Sequence, residues 1–232
     1  MLFPRHAQLP LLASQAVARM SSLCTARHGV EHHYPWSIDE LYRSPSDRLS
    51  LIGYGSLMNL TSARRSLNEA CIATAKPVIV LGARRVYERV MSPKGRGVYG
   101  EKVDDAQLGV LNAHLTGERS DWFNGVMFQV GADDIPALLS RESAYDLLPA
   151  WTMSWDESSP QPYVAYFLSC RQMTFAGRPL IDSQILPHPR YHEICEAGCE
   201  AISSDFLHAF RTTTWVRQSR LIDAEQYQLE SA

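Results

Sequence analysis

Between residues 77 and 170 the chain is a succession of β-forming segments with little room for alternating helices. PVIVLGARRVYERV (77–90) is dense in β-branched residues, and GVLNAHL (109–115) alternates Leu111, Ala113 and Leu115 with Asn112 and His114. WFNGVMFQV (122–130) and YVAYFLSC (163–170) carry the same preference. The 91–106 segment, with Pro93, Gly95, Gly97 and Gly100, reads as a long exposed loop. Helical signals gather late. His188-Pro189 starts one helix with Gly198 as its terminator, and Ser203 or Ser204 caps another carrying Phe206, Leu207 and Phe210. Strands in the middle and helices at the end predict an α+β fold rather than a doubly wound sheet.

YRSPSDR (42–48) reads as the loop before a first buried strand, SLIGY (50–54). With no internal repeat and no low-complexity linker, residues 48–232 form a single domain that includes the C-terminal helices, and residues 1–47 form a leader or an extra helix. The first thirty residues hold Arg5, Arg19 and Arg27 and no acid, which fits an organelle transit peptide and fits an extra helix equally. A formal net charge of −3 leaves no basic footprint, so nucleic acid is not an expected partner. No apolar run approaches the roughly 20 residues that span a bilayer, so no membrane is expected either. Five cysteines (Cys24, Cys71, Cys170, Cys195 and Cys199), odd in number and without a C-x-x-C pair, fit a reducing, cytoplasmic location.

Within this frame, LIGYGSLMNL (51–60) sends an apolar strand through two glycines into a helix over 60–68, with Asn59 as N-cap and Leu60, Ala63 and Leu67 on one face. Three glycine-loop motifs fail here. Met58 stands where a dinucleotide fingerprint needs its third glycine, no Gly-Lys-Ser/Thr is present, and Tyr54 and Met58 occupy the glycine positions of a serine elbow. Loop N–H groups still suit a carboxylate or phosphate. A tight turn around a buried Tyr54 explains the same residues.

A second feature lies in ADDIPALLSRESAY (132–145). Asp133 and Asp134 suit a helix N-terminus, Ile135, Leu138 and Leu139 form an apolar stripe, and the next position on that stripe is Glu142. A carboxylate there either pairs with an arginine such as Arg141 or Arg64 or is held desolvated for chemistry.

Tyr-Gly-Ser-Leu at the end of a first strand, followed downstream by Arg-Glu-x-x-Tyr, resembles the gamma-glutamylcyclotransferase-like superfamily. PVIVLGARRVYERV, LNAHL, FNGVMFQV and DIPALLSRESAY resemble that family's second strand and its block of two strands and an acid-ended helix, over roughly residues 50–170. The resemblance implies a small mixed β-barrel with flanking helices and a cavity at its mouth. It implies that the backbone of Gly55, Ser56 and Leu57 cradles the α-carboxylate of a γ-glutamyl group, with Tyr54 and Tyr145 lining the pocket. Glu142 falls on the family's catalytic acid. The implied reaction is intramolecular aminolysis, in which the α-amino group attacks the γ-carbonyl and 5-oxoproline leaves with release of an amine. It needs neither a metal nor an organic cofactor, and its small-molecule γ-glutamyl substrates range over glutathione, γ-glutamyl amino acids and γ-glutamyl amines. The chain departs from the pattern in its long leader and in reading RESAYD where some members have glutamate-glycine. A carboxylate-binding regulatory domain on the same scaffold is the alternative from another class.

Other constellations are weaker. His188, His192, Cys195 and Cys199 share a helix face, but one helix spreads them over about 16 Å, too far for four ligands to meet one ion. Ser56 as a nucleophile requires a base, and His114 is the one histidine worth nominating. Arg64, Arg65, Arg84, Arg85, Arg89 and Arg141 are candidates for a second substrate carboxylate, although a solvated face is the ordinary place for most arginines.

Overall fold

The computed structural model of the chain describes residues 36–37, 48–100, 103–118, 120–131, 134, 137–138, 145–156, 162–175 and 177–223. A two-residue strand β1 (Trp36–Ser37) precedes β2 (Leu49–Gly53), which leads to a 3-10 turn at Ser56–Met58. Two short helices follow, α1 (Leu60–Ala63) and α2 (Glu69–Ile72), where the sequence predicts one helix over 60–68. Two asparagines account for the division. Asn59 Oδ1 accepts from Ser62 N at 3.1 Å and Asn68 Oδ1 from Cys71 N at 2.9 Å, so each caps a helix of its own.

Next come β3 (Lys76–Leu81), β4 (Ala83–Val90), α3 (Pro93–Tyr99), β5 (Gly109–Leu115), β6 (Trp122–Val130), β7 (Asp146–Ser154) and β8 (Tyr163–Ser169). A ribbon of β9 (Thr174–Phe175) and β10 (Arg178–Pro179) precedes α4 (Pro189–Glu200), α5 (Ser204–Thr213), β11 (Thr214–Val216) and β12 (Ser219–Arg220). The fold is α+β. Among the described residues no helix is long and apolar enough to cross a membrane.

The larger sheet has the order β1-β7-β3-β6-β2-β8, and β7 also pairs with β8, so five of its strands return on themselves. Within that ring only β2 and β8 run parallel. Closure leaves these strands without a free pairing edge. Leu51, Phe123, Phe128 and Phe167 are fully buried in one cluster that also holds Phe206 and Phe210 of α5. The second sheet, β12-β11-β4-β5, packs its own apolar residues Leu111 and Ala113 into the same cluster. β1 joins the ring at Leu147 and Asp146 of β7, which brings part of the 1–47 segment onto the sheet.

Three departures from the sequence reading have physical causes. The run 77–90 is two strands in different sheets, divided at Gly82 (φ 65°), whose N–H donates to Asp121 O and whose carbonyl accepts from Thr116 N, both at 2.9 Å. A left-handed residue of this kind turns the chain where a side chain would be strained. The presumed loop 91–106 contains α3, started by Ser92 Oγ accepting from Gly95 N at 3.1 Å, with Pro93 in the first turn and Gly100 (φ 110°) past its end. Strand β7 escapes the sequence reading because Pro149 interrupts it. Pro149 opposes Tyr166 of β8, but β3 pairs only from Trp151 onward, so the proline sits where β7 has one neighbour.

Gly198 is not a terminator. It lies inside α4, and a Cβ on it would stand 2.6 Å from Asn59 N and 2.7 Å from the Met58 carbonyl carbon. Helix α4 therefore rests directly on the backbone leaving the 3-10 turn. Gly198→Ala forces that backbone apart, with an expected cost of about 1–3 kcal/mol, read as a lowered midpoint in chemical denaturation. Unchanged stability would mean that α4 and the turn are not in contact.

Candidate active site

A cavity of about 390 Å³ opens against the glycine loop. Gly53, Tyr54, Gly55, Ser56 and Leu57 form one wall, Arg89 and Val90 of β4 and Leu111 of β5 another, and α3 contributes Lys94, Val98 and Tyr99. Ala137, Tyr145, Leu168, Arg65 and Tyr191 also line it. The charged residues among the described lining are Arg65, Arg89 and Lys94, all cationic. Such a wall favours an anionic ligand.

The loop is held from behind. The Tyr54 hydroxyl donates to Leu168 O, and its ring stands edge-on to Phe123 (5.6 Å) and Phe167 (6.1 Å). Met58 N donates to Gly55 O at 2.9 Å, closing the turn. The first N–H groups of any helical turn have no partner within it, and here they belong to Gly55, Ser56 and Leu57 on the cavity wall. The turn is only three residues long, so the helix dipole that a longer helix would add is small. Gly55 is required by contact: a Cβ there would lie 2.3 Å from the Tyr191 hydroxyl oxygen. Burial pushes the Tyr191 phenol well above its ordinary pKa, so it stays neutral, edge-to-face with Tyr99 at 5.4 Å.

Beneath the loop lies Arg85, wholly buried, where the sequence reading favours a solvated arginine face. Its Nη1 donates to Asn124 O at 2.7 Å and Tyr54 O at 3.4 Å, its Nη2 to Asn124 Oδ1, Phe210 O and Thr213 Oγ1, and its Nε to Thr214 Oγ1 at 2.8 Å. Burial lowers its pKa to about 10, which leaves it protonated at neutral pH. Arg89 is also buried, 6 % exposed, and it lies on the cavity wall with its guanidinium 5.5 Å from the Tyr145 ring. Its Nη1 donates to Val90 O at 2.7 Å and Leu180 O at 3.3 Å.

Of the residues nominated from sequence, Tyr54, Gly55, Ser56, Leu57 and Tyr145 all line this one cavity. Glu142 lies outside the described residues, as do Arg141, Ile135 and Leu139, while Leu138 of that stripe is fully buried. Arg64, offered as a partner for Glu142, pairs with Glu69 at 2.8 Å. His114 does not serve Ser56: it is bonded to Glu88 and is absent from the cavity lining. The α4 residues have structural partners. His188 Nδ1 accepts from Tyr191 N as the N-cap, His192 Nδ1 meets the Tyr87 hydroxyl at 2.9 Å, and Cys195 and Cys199 are buried, with burial pushing the Cys199 thiol up to about 12. The sequence reading missed Lys94, Tyr99 and Tyr191. The first two sit in α3, whose glycines disguise it, and Tyr191 carries no signal beyond an aromatic on a helix.

No protein-family model matches the sequence, and no curated protein is significantly similar to it. Among solved structures the chain is similar to YkqA from Bacillus subtilis, with 14% identity and a TM-score of 0.49 over 74% of this chain. It spans 56% of the YkqA chain. Two solution structures from Arabidopsis thaliana also align over 56% of this chain: At5g39720.1 at 11% identity, covering 73% of that protein with a TM-score of 0.35, and At3g28950.1 at 13% identity, covering 68% with a TM-score of 0.37.

Proposed function

We propose that the chain is a gamma-glutamylcyclotransferase-type enzyme that forms 5-oxoproline from a γ-glutamyl compound, with its ring of five strands as the small barrel of that fold. The observation that carries the reading is that the glycine loop 53–57 and Tyr145 line one cavity whose described charged lining is cationic. Glu142 is three residues from Tyr145 and five from Ala137, both on the cavity wall.

In this reading the N–H groups of Gly55, Ser56 and Leu57 receive the substrate α-carboxylate, and Tyr54 and Tyr145 flank the γ-glutamyl chain. Glu142 takes a proton from the α-ammonium. The freed amine attacks the γ-carbonyl, a C–N bond forms to close the five-membered lactam, and the bond to the departing amine breaks as Glu142 returns the proton to it; the second proton shed by the ring nitrogen also passes to the departing amine, which leaves as an ammonium. No covalent enzyme intermediate is needed. Most of the acceleration comes from holding the amine against its own carbonyl, which explains why the loop is braced so rigidly by Arg85, Tyr54 and Tyr191.

Purified protein incubated with glutathione, γ-glutamyl amino acids and γ-glutamyl amines is expected to release 5-oxoproline from at least one of them, measured by chromatography. Glu142→Gln should lower that rate by roughly 10²–10⁴-fold with the far-ultraviolet spectrum and denaturation midpoint retained. Undiminished turnover in this variant rejects the mechanism, and calorimetric binding without product in the parent protein identifies a regulatory carboxylate-binding domain instead.

The loop has a separate check. Gly55→Ala drives a methyl group into the Tyr191 hydroxyl, so it should weaken both stability and turnover, while Gly55→Ala combined with Tyr191→Phe regains space for that methyl. A double-mutant cycle on denaturation free energy should therefore show a coupling of about 0.5–3 kcal/mol. Strict additivity would show that the hydroxyl does not shape the loop.

A further inference from the structure

Arg89 is the one buried arginine among the described residues whose donors are left unspent. Arg64, Arg84, Arg96 and Arg211 face Glu69, Asp121, Asp105 and Glu196, and the buried Arg85 is surrounded by acceptors. Arg89 meets no carboxylate among the described residues. Its Nη1 is occupied by two neutral carbonyls, its buried Nε has no hydrogen-bond partner, and no acceptor is described for Nη2. Burying a guanidinium is costly unless an anion or a full set of acceptors compensates. The open Nε/Nη2 edge is also the edge of the fork that receives a carboxylate through two parallel hydrogen bonds. Arg89 is in the lining of the same cavity as loop 53–57, with its guanidinium beside the Tyr145 ring.

We propose that Arg89 is a specificity-determining residue that receives a second carboxylate of the ligand, on the departing-amine side. One carboxylate is held by the loop amides and the other by Arg89, and a cavity of about 390 Å³ is large enough for one small ligand to span both. The preferred substrates are then γ-glutamyl derivatives of amino acids or peptides, which carry that second carboxylate, over γ-glutamyl amines, which lack it. This assignment rests on the cyclotransferase reading for which side of the ligand is which, but the anion site itself does not depend on catalysis.

The test compares γ-glutamyl-alanine with γ-glutamyl-alaninamide, identical apart from the terminal carboxylate. In the parent protein the acid should exceed the amide about tenfold or more in kcat/KM, as expected for a charge-assisted bidentate contact. In Arg89→Met the ratio should fall toward one, and Arg89→Lys should keep part of the preference. A ratio near one in the parent protein overturns the proposal, and so does an Arg89→Met variant that loses both substrates in equal proportion. The parent comparison needs no variant, so it decides the matter even where Arg89→Met does not fold. Calorimetric titration with the same two compounds separates this inference from the reaction. Acid-selective binding that Arg89→Met removes, with no 5-oxoproline formed, upholds the anion site and rejects the cyclotransferase reading, whereas turnover of both compounds at equal rates does the reverse.

Discussion

The structure depends on a charge buried in the wrong place by ordinary expectation. Arg85 has no carboxylate partner in its set of contacts, yet it stays protonated at neutral pH, stacked 4.3 Å over Phe210 and 5.5 Å over Phe123. Its desolvation is offset by hydrogen bonds to charged donors, each worth about 1.5–3 kcal/mol. Those acceptors come from separate parts of the chain: Tyr54 just after β2, Asn124 on β6, Phe210 and Thr213 at the end of α5, and Thr214 at the start of β11. Asn124 Nδ2 in turn donates to Phe206 O at 2.7 Å, tying α5 to β6 a second time. Removing the guanidinium would strip a hydrogen bond from Asn124 on β6, from Phe210 on α5 and from Tyr54 after β2 at once, so the fork is a joint that fixes where α5 and the glycine loop can sit.

A loop fixed this way can act by position. Its front faces the cavity, its back is held by Arg85 and the Tyr54 hydroxyl, and its flanks are pressed by Tyr191 at Gly55 and by α4 at Met58 and Asn59. Both of these flanking approaches occur at glycines, Gly55 and Gly198, where a side chain would separate the surfaces. Backbone N–H groups held so firmly can serve an anion with little reorganisation. The cationic lining acts in the same direction, because charges in a partly enclosed site are weakly screened.

Much of this was legible in the sequence wherever a residue acts locally. Asn59, Ser203 and His188 announce helix starts, and all three side chains accept the capping N–H. The strands at 109–115 and 122–130 follow from their own composition, and the glycine loop declares itself at a strand end. What stayed hidden depends on partners distant in sequence. Nothing near Arg85 indicates that Asn124, Phe210 and Thr214 will converge on it. Pro149 reads as a strand breaker until the pairing shows that one neighbour is missing there, and Gly198 reads as a helix end until the Met58 backbone is placed against it. Tyr145 and the loop meet across the cavity only because β2 and β7 are brought into one ring.

The sharpest consequence of that limit is on β4. Arg85 and Tyr87 share the inner face of β4, and an irregularity in the pairing with β5 falls between Tyr87 and Arg89, beyond which Arg89 is again buried. Bulges of this kind re-aim the side chain that follows them. Before the irregularity the inner face points into the packed centre, and Arg85 finds six acceptors. After it Arg89 lines the cavity and finds two carbonyls for one of its nitrogens. Two buried arginines of one strand thus differ in how many of their donors the protein itself fills. A fully satisfied buried guanidinium has nothing left to offer a ligand, so its role is structural. A buried guanidinium with donors unfilled beside a cavity costs stability that folding alone does not recover, and in the proposal made above an anion in that cavity is what recovers it.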